Sequence, residues 1–275
     1  MAMSLCVLFG TIVVASAEEI TLEEMRNVLR EKYVPQQHLD SLTDEATEQM
    51  YWEWKDKVTG YGGTVVSALT ETDENDVMPM GVISDEDMLL TMTNVFVYSN
   101  ANTMQIGEIQ IFIQYYWKKK PRNVKTDAIA VNWDAGVFTY KSNSFSSTDV
   151  ARALRGNEGV YNHTTTNYPA VLTQGGLGYD VLLKSRVEAD GKGYTTKELS
   201  GSATFCLYPK ENPMYNRGNA AAASYTTAIN MQYRHNRNPF AGSVGFTVVG
   251  FTVGFDLSAF TDTTTTRSLN VFYSY

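Results

Sequence analysis

A chain of 275 residues with a formal charge of -8 lacks the basic face that phosphate neutralisation requires, which argues against nucleic acid as a partner; its compact cationic cluster is Lys118-Lys119-Lys120 with Arg122. Hydrophobic residues at 43% and charged residues at 19% describe a folded chain, which excludes a disordered tail or linker. A domain of this length buries roughly three quarters of its unfolded surface, so no disulfide or metal is needed for stability.

The first element is an apolar run, Leu5 to Val14, followed by Ala15-Ser16-Ala17 and the acidic pair Glu18-Glu19. About ten apolar residues are too few to cross ~30 Å of hydrocarbon as a helix, and a small-x-small triplet before a charged start suits signal peptidase. Residues 1–17 are therefore expected to be a signal peptide, although Met1-Ala2-Met3-Ser4 carries no Lys or Arg. The mature protein is expected to be secreted, extracellular or associated with the cell surface. Cleavage removes Cys6 and leaves Cys206 alone, so no intramolecular disulfide is expected. No second apolar stretch of about twenty residues follows, and no transmembrane helix is expected in the mature chain.

Residues 18–59 read as a helical hairpin that packs on the domain after it. Thr21-Leu22-Glu23-Glu24 has the form of a capping box, and Leu22, Met25, Val28 and Leu29 follow at helical spacing before Pro35. A second helix starts near Ser41 to Thr43, with Leu42, Ala46, Met50 and Trp54 on one stripe and Glu45, Glu48 and Glu53 outside it. The phrase Tyr33-Val34-Pro35-Gln36-Gln37-His38-Leu39-Asp40-Ser41-Leu42-Thr43-Asp44-Glu45, with the aromatics Tyr51-Trp52, resembles a helical lead-in of uncharacterised secreted proteins from Gram-positive bacteria. The resemblance spans about forty residues, implies an exported bacterial protein, and brings no active site with it.

Residues 60–275 read as the main domain, because from Gly60 the period changes from helical to alternating. Ile109, Ile111, Ile113, Tyr115 and Trp117 fall on one face of a strand, with Gln110, Phe112, Gln114 and Tyr116 on the other. Tyr225, Thr227, Ile229, Met231, Tyr233 and His235 repeat the pattern. Further strands are expected at 64–69, 88–98, 129–133, 137–140, 179–188, 203–208, 244–257 and 269–275. Asp134-Ala135-Gly136 and Asp190-Gly191-Lys192-Gly193 are expected to close hairpins, and Asn238 to Gly242 a longer turn. Ser147 to Thr173 breaks the rhythm, with a short helix expected at Asp149 to Leu154 and a polar loop after it. The whole is expected to be mainly β: a β-sandwich, with a jelly roll as one form of it, of about ten strands behind the helical hairpin.

No catalytic constellation stands out. His38, His163 and His235 lie in separate segments with no metal-ligand spacing; His235 is expected to be a hydrogen-bonded residue at the core edge, and Cys206, between Phe205 and Leu207, a buried thiol. Gly175-Gly176-Leu177-Gly178 lacks the Lys-Ser/Thr of a phosphate loop and reads as a strand entry. Asp73, Asp76, Asp85 and Asp87, in two acidic turns, are the candidate Ca²⁺ ligands, and Ca²⁺ is the one cofactor suggested. A glycosidase would need paired carboxylates, for which Glu108, Asp134, Asp180, Glu188 and Asp256 are available but unpaired by sequence. Trp133, Tyr161, Tyr168 and Tyr215, with His163, are the candidate ligand-binding residues, since aromatics in polar loops stack on sugar rings or on a partner protein. The residues thus point to a secreted, non-catalytic protein that binds a glycan or a surface protein, or assembles with itself. A secreted glycan hydrolase is the first alternative. A membrane-inserting β protein is the second, suggested by the apolar Val244 to Phe255.

Overall fold

The computed structural model describes residues 20–32, 34, 36–57, 59–65, 83–100, 105–210, 225–236, 246–249, 252–255, 261–263 and 267–273. The expected signal peptide, Asp73, Asp76, Tyr215, Asp256 and the 238–242 turn lie outside the described residues. The described chain runs α1 (Leu22–Glu31), α2 (Gln36–Ser41), α3 (Asp44–Trp54), β1 (Thr59–Val65), β2 (Met88–Asn100), β3 (Gln105–Trp117), β4 (Thr126–Asn132), β5 (Phe138–Tyr140), β6 (Ser146–Arg155), β7 (Glu158–Thr166), β8 (Val171–Thr173), β9 (Gly176–Leu182), β10 (Arg186–Ala189), β11 (Lys192–Pro209), β12 (Tyr225–Asn236), β13 (Phe246–Val249), β14 (Thr252–Phe255), β15 (Thr261–Thr263) and β16 (Arg267–Tyr273).

The helices begin as their caps dictate. The Thr21 hydroxyl accepts from the Glu24 amide at 3.3 Å while Glu24 accepts from the Thr21 amide at 2.7 Å, and Thr43 caps α3 through the Ala46 amide at 3.2 Å. The short α2 makes three helices where two were expected. Leu29, Val34, Leu39, Leu42, Ala46, Met50 and Trp54 form a common apolar cluster with Val95 of β2 and Phe112 of β3, which fixes the helices on one sheet.

The strands form a β-sandwich of two antiparallel sheets. The larger has eight strands in the order β1-β2-β3-β11-β6-β7; the long β11 also takes β10 and β5 at its two ends. The smaller has six, in the order β15-β12-β4-β9-β8, with β16 also on β12. The alternation of β3 and β12 holds: Ile109, Ile111, Ile113, Tyr115 and Trp117 meet Ile229, Met231 and Tyr233 in the inter-sheet core, while Phe112 faces the helices. Gly201 lies beside Tyr115 on that inner face, and a Cβ there would come within 2.4 Å of the Tyr115 ring. The β13–β14 hairpin packs by Phe246 against Gly178 of β9, where a Cβ would meet the ring at 2.5 Å.

Several expectations need correction. Asp149 to Leu154 is the interior of β6, not a helix: Ala151 and Ala153 face the core, so sheet pairing on both sides overrides the helix propensity of Ala, Arg and Leu. The polar stretch after it is β7 rather than a loop through Thr166. Asp134-Ala135-Gly136 does turn sharply, with the Gly136 amide donating to Asp134 Oδ1 at 2.7 Å, but it passes the chain from β4 in one sheet to β5 in the other instead of closing a hairpin. Asp190-Gly191 does close the β10–β11 hairpin; φ of 52° and 71° at its two residues is the left-handed pair a type I′ turn requires. The expected strands at 179–188 and 244–257 are each two strands.

One polar residue interrupts the apolar inner face of β2. Asn94 is completely buried between Met92 and Phe96, opposite Ile111, and neither amide atom has a hydrogen-bond partner among the described residues. An unmatched buried amide costs on the order of 1–3 kcal/mol. Asn94→Leu, close in shape, is expected to raise the stability measured by denaturant unfolding by about that amount; a loss of stability would contradict this description of the core.

Candidate functional site

The helices cover only part of the larger sheet's outer face. α3 spends Ala46, Met50 and Trp54 on the apolar contact, and its next flank, Glu45, Glu48, Gln49, Trp52 and Glu53, stands over β11, β6 and β7. The step from helix to bare sheet makes an open groove of about 640 Å³, lined on the far side by Ser146, Thr148, His163 and Ser202. A second hollow of about 340 Å³ also uses Glu45 and has Tyr116, Arg152, Tyr161 and Ser200 in its lining. Register explains the floor. Ser202 pairs with Thr148, Ser200 with Val150, Val150 with His163, and Arg152 with Tyr161, so these side chains share one face. Gln49 accepts from the Ser202 hydroxyl and ties α3 to that floor.

The aromatics of the two hollows are presented to solvent. Trp52 is 56% exposed and Tyr161 48%. The Tyr161 and His163 rings lie 6.1 Å apart at 29°, nearly parallel. The Arg152 guanidinium sits 5.8 Å from the Tyr161 ring and bonds Glu198, which fixes it as part of the wall. Lys55 places its ammonium 4.3 Å from the Trp52 ring, a cation held on an aromatic face.

Beside the groove runs a chain of ionic contacts. Gln110 bridges Glu53 at 2.9 Å and Lys57 at 3.0 Å, and Lys141 meets Glu108 at 2.5 Å. Cys206 lies against this group with its sulfur 3.9 Å from Glu108. Burial, then the Glu108 charge, push its thiol up to about 12, the opposite of what a nucleophile needs.

A separate polar cluster lies between the sheets. Asp127, fully buried, accepts from Tyr233 at 2.5 Å and from the Asn236 amide at 2.9 Å, and His235 Nδ1 is 2.9 Å from it. Trp117 donates its indole N–H to the Tyr233 oxygen at 3.1 Å and packs edge-on against the His235 ring. Asp149 accepts from Tyr115 and from the Leu182 amide, both at 2.8 Å. Burial raises the pKa of both carboxyls against the hydrogen bonds that hold them down. A carboxylate beside an imidazole orients a base in many enzymes, but His235 is 5% exposed and sealed behind Trp117, so this pair fastens β4 to β12 rather than facing substrate.

The sequence-derived candidates are scattered. Tyr161 and His163 come together on β7, His163 in the groove and Tyr161 in the adjoining hollow, as strand residues rather than loop residues. Tyr168 is 73% exposed but does not line either hollow. Trp133 must be corrected: it is 5% exposed, packs its ring 5.9 Å from Phe205 and donates its indole N–H to the Gln174 carbonyl, so it belongs to the core. His235 is the hydrogen-bonded core residue expected, and Cys206 is buried. Asp87 is held by Ser84 at 2.7 Å and Lys119 at 3.1 Å, an assembly of ion pair and turn. No cluster of three or more His, Cys, Asp or Glu suited to a metal, Asp85 and Asp87 included, occurs among the described residues. Trp52 was missed as a site residue. Its signal was its position, off the Leu42-Ala46-Met50-Trp54 stripe and among glutamates, where a tryptophan has no core to fill.

No protein-family model matches the chain, and no curated protein matches it. Among solved structures, one titled "AvmM Catalyzes Macrocyclization in Alchivemycin A Biosynthesis" is similar over 61% of this chain and 80% of that one, with 12% identity and a TM-score of 0.24. A score that low supports no inference about fold or activity.

The interior carboxyl gives a pH signature. Asp149 has its pKa raised to about 6, chiefly by burial, against about 3.9 in an unfolded chain. Below about pH 4 both states hold the proton and Asp149 contributes nothing; between about 4 and 6 the unfolded state alone has released it, so stability falls as pH rises; above about 6 the loss is constant, on the order of 3 kcal/mol. Asp149→Asn can keep the bond from the Leu182 amide and, with the Tyr115 O–H rotated away, donate to the Tyr115 oxygen. It is expected to match the parent chain near pH 4 and exceed it at pH 7.5, by unfolding in denaturant. Equal pH profiles for the two proteins would contradict this placement of Asp149.

Proposed function

We propose that the protein is exported and binds glycans without catalysis, in the groove between α3 and β6–β7. The observation that carries this reading is the make-up of the groove: an exposed tryptophan and His163 for stacking on sugar rings, with Tyr161 beside His163 in the adjoining hollow, and Ser146, Thr148 and Ser202 hydroxyls with α3 carboxylates for hydrogen-bonding their hydroxyls. The openness of the groove suits a chain rather than a small enclosed ligand. Export rests on the Leu5 to Ala17 pattern and its acidic follower.

The distribution of carboxylates separates binding from hydrolysis. Glycoside cleavage needs an acid and a second carboxylate on opposite sides of the scissile bond. In the larger groove Glu45, Glu48, Glu53 and Asp56 all come from α3 and the segment just after it, while Ser146, Thr148, His163 and Ser202 face them. One acidic wall opposite a hydroxyl floor supports recognition of sugar hydroxyls in the larger groove; in the smaller hollow Glu198 does face Glu45, but it is engaged by Arg152, which disfavours the hydrolase alternative.

The test is a titration with soluble wall and plant polysaccharides read by tryptophan fluorescence and calorimetry. Trp52→Ala is expected to weaken binding about tenfold while leaving the unfolding transition in place, because the ring is exposed. A panel in which no polysaccharide binds, or binding that ignores the loss of Trp52, would overturn the proposal.

A further inference from the structure

The outer edge of the larger sheet is an open template. β7 is a nine-residue strand at the end of the sheet order, paired with β6 from Ser147–Thr166 to Arg155–Glu158 without a register shift. No other strand pairs with it among the described residues. Sheet edges are normally blunted by lysine, proline, a bulge or a cover. β7 reads Glu-Gly-Val-Tyr-Asn-His-Thr-Thr-Thr, with no lysine and no proline of its own; Gly159, Tyr161, His163 and Thr165 are exposed, while the residues between them are half-buried and Asn162 is bonded by Lys184.

Which backbone groups face outward follows from the turn. Gly156 and Asn157 are the two residues between Arg155 and Glu158, and Gly156 has φ 63° as the first residue of a type II′ turn needs. The flanking residues of a two-residue hairpin exchange hydrogen bonds, and the pattern then alternates. Residues 158, 160, 162, 164 and 166 thus bond β6, and 159, 161, 163 and 165 turn their N–H and C=O away from the sheet.

We infer that β7 pairs with β7 of a second copy of the chain, antiparallel and centred on Asn162, so that two larger sheets join into one. Self-complementarity selects this partner. About this centre Tyr161 meets His163 of the partner, Val160 meets Thr164, Gly159 meets Thr165 and Glu158 meets Thr166, so aromatic and β-branched residues face each other and no like charges do. Of the charges near the edge, Arg155 is paired with Glu158 and Asp190 and Arg152 with Glu198, and the Lys184 ammonium bonds the Asn162 side chain at 2.6 Å, so a cation rather than the net charge of -8 lies beside the join. The outward groups on both copies give about eight new backbone hydrogen bonds. The join also brings the two Tyr161-His163 pairs onto one continuous face.

The association is measured without any glycan, so its failure is separate from failure of the binding proposal. Sedimentation of the purified full chain is expected to show a dimer. Thr165→Pro removes an outward N–H and keeps every backbone bond to β6, losing there only the contact of the Thr165 hydroxyl with Thr148, and is expected to be monomeric with an unchanged circular dichroism spectrum. Asn162→Cys places two thiols opposite each other at the two-fold and is expected to form a covalent dimer on mild oxidation, while Thr164→Cys, which faces Val160, is expected not to. This pair of variants reports the register even if the proline variant fails to fold. A parent chain that stays monomeric up to about 100 μM, or a dimer in which Thr164→Cys links as readily as Asn162→Cys, would overturn the inference.

Discussion

Everything else in this fold depends on β3 having two faces to bury. Its inner residues, three isoleucines with Tyr115 and Trp117, close the core against the smaller sheet. Its outer residue Phe112, with Val95 on β2, needs a second cover, which α1, α2 and α3 supply. An α-helix with its side chains is about 10 Å across and strands are about 4.8 Å apart, so two helices side by side shield roughly four strands. The path from β1 to β7 has six. The uncovered flank is therefore β6 and β7, and the groove is what remains where a helical layer ends on a wider sheet. Its composition follows: the outer side chains there are mostly Ser, Thr, Arg, Tyr and His, with Val150 and Leu154 the apolar exceptions.

The inter-sheet core is held by polar as well as apolar contacts. Two buried aspartates are engaged by Tyr233, His235, Tyr115 and two backbone amides, which links β3, β4, β6, β9 and β12 in one cluster. Buried carboxyls cost desolvation, so such a cluster is a poor source of stability but a strict one of register: a slip of one residue in β12 would remove Tyr233 and His235 from Asp127 at once. Burial raises the phenols of Tyr115 and Tyr233 well above their ordinary range, so both remain hydrogen-bond donors.

Much of the architecture was legible in the residues, because period and turn chemistry act locally. The alternations of β3 and β12, the Thr21-Glu24 capping box and the Asp190-Gly191 turn each follow from a few neighbouring side chains. Failures came where distant partners decide. Asp149 to Leu154 has helical residues, yet pairing with β7 on one side and β11 on the other makes it a strand. Trp133 sits next to a turn, a position that suggests exposure, but the turn crosses between sheets and carries the ring into the core. For the site, Tyr161 and His163 were found for their type and not for their neighbours; that α3 would face them, bringing Trp52 and its glutamates, is a property of how the helical layer lies on the sheet.

The central claim is that the step between α3 and β6–β7 is where the protein meets its ligand. The most direct measurement is amide chemical-shift mapping with the tightest-binding oligosaccharide from a polysaccharide screen. A binding groove predicts shifts confined to α3, β6, β7 and the middle of β11, with the Trp52 and His163 side chains moving most. Shifts centred elsewhere, on the β13–β14 hairpin or the β8 edge, would contradict it.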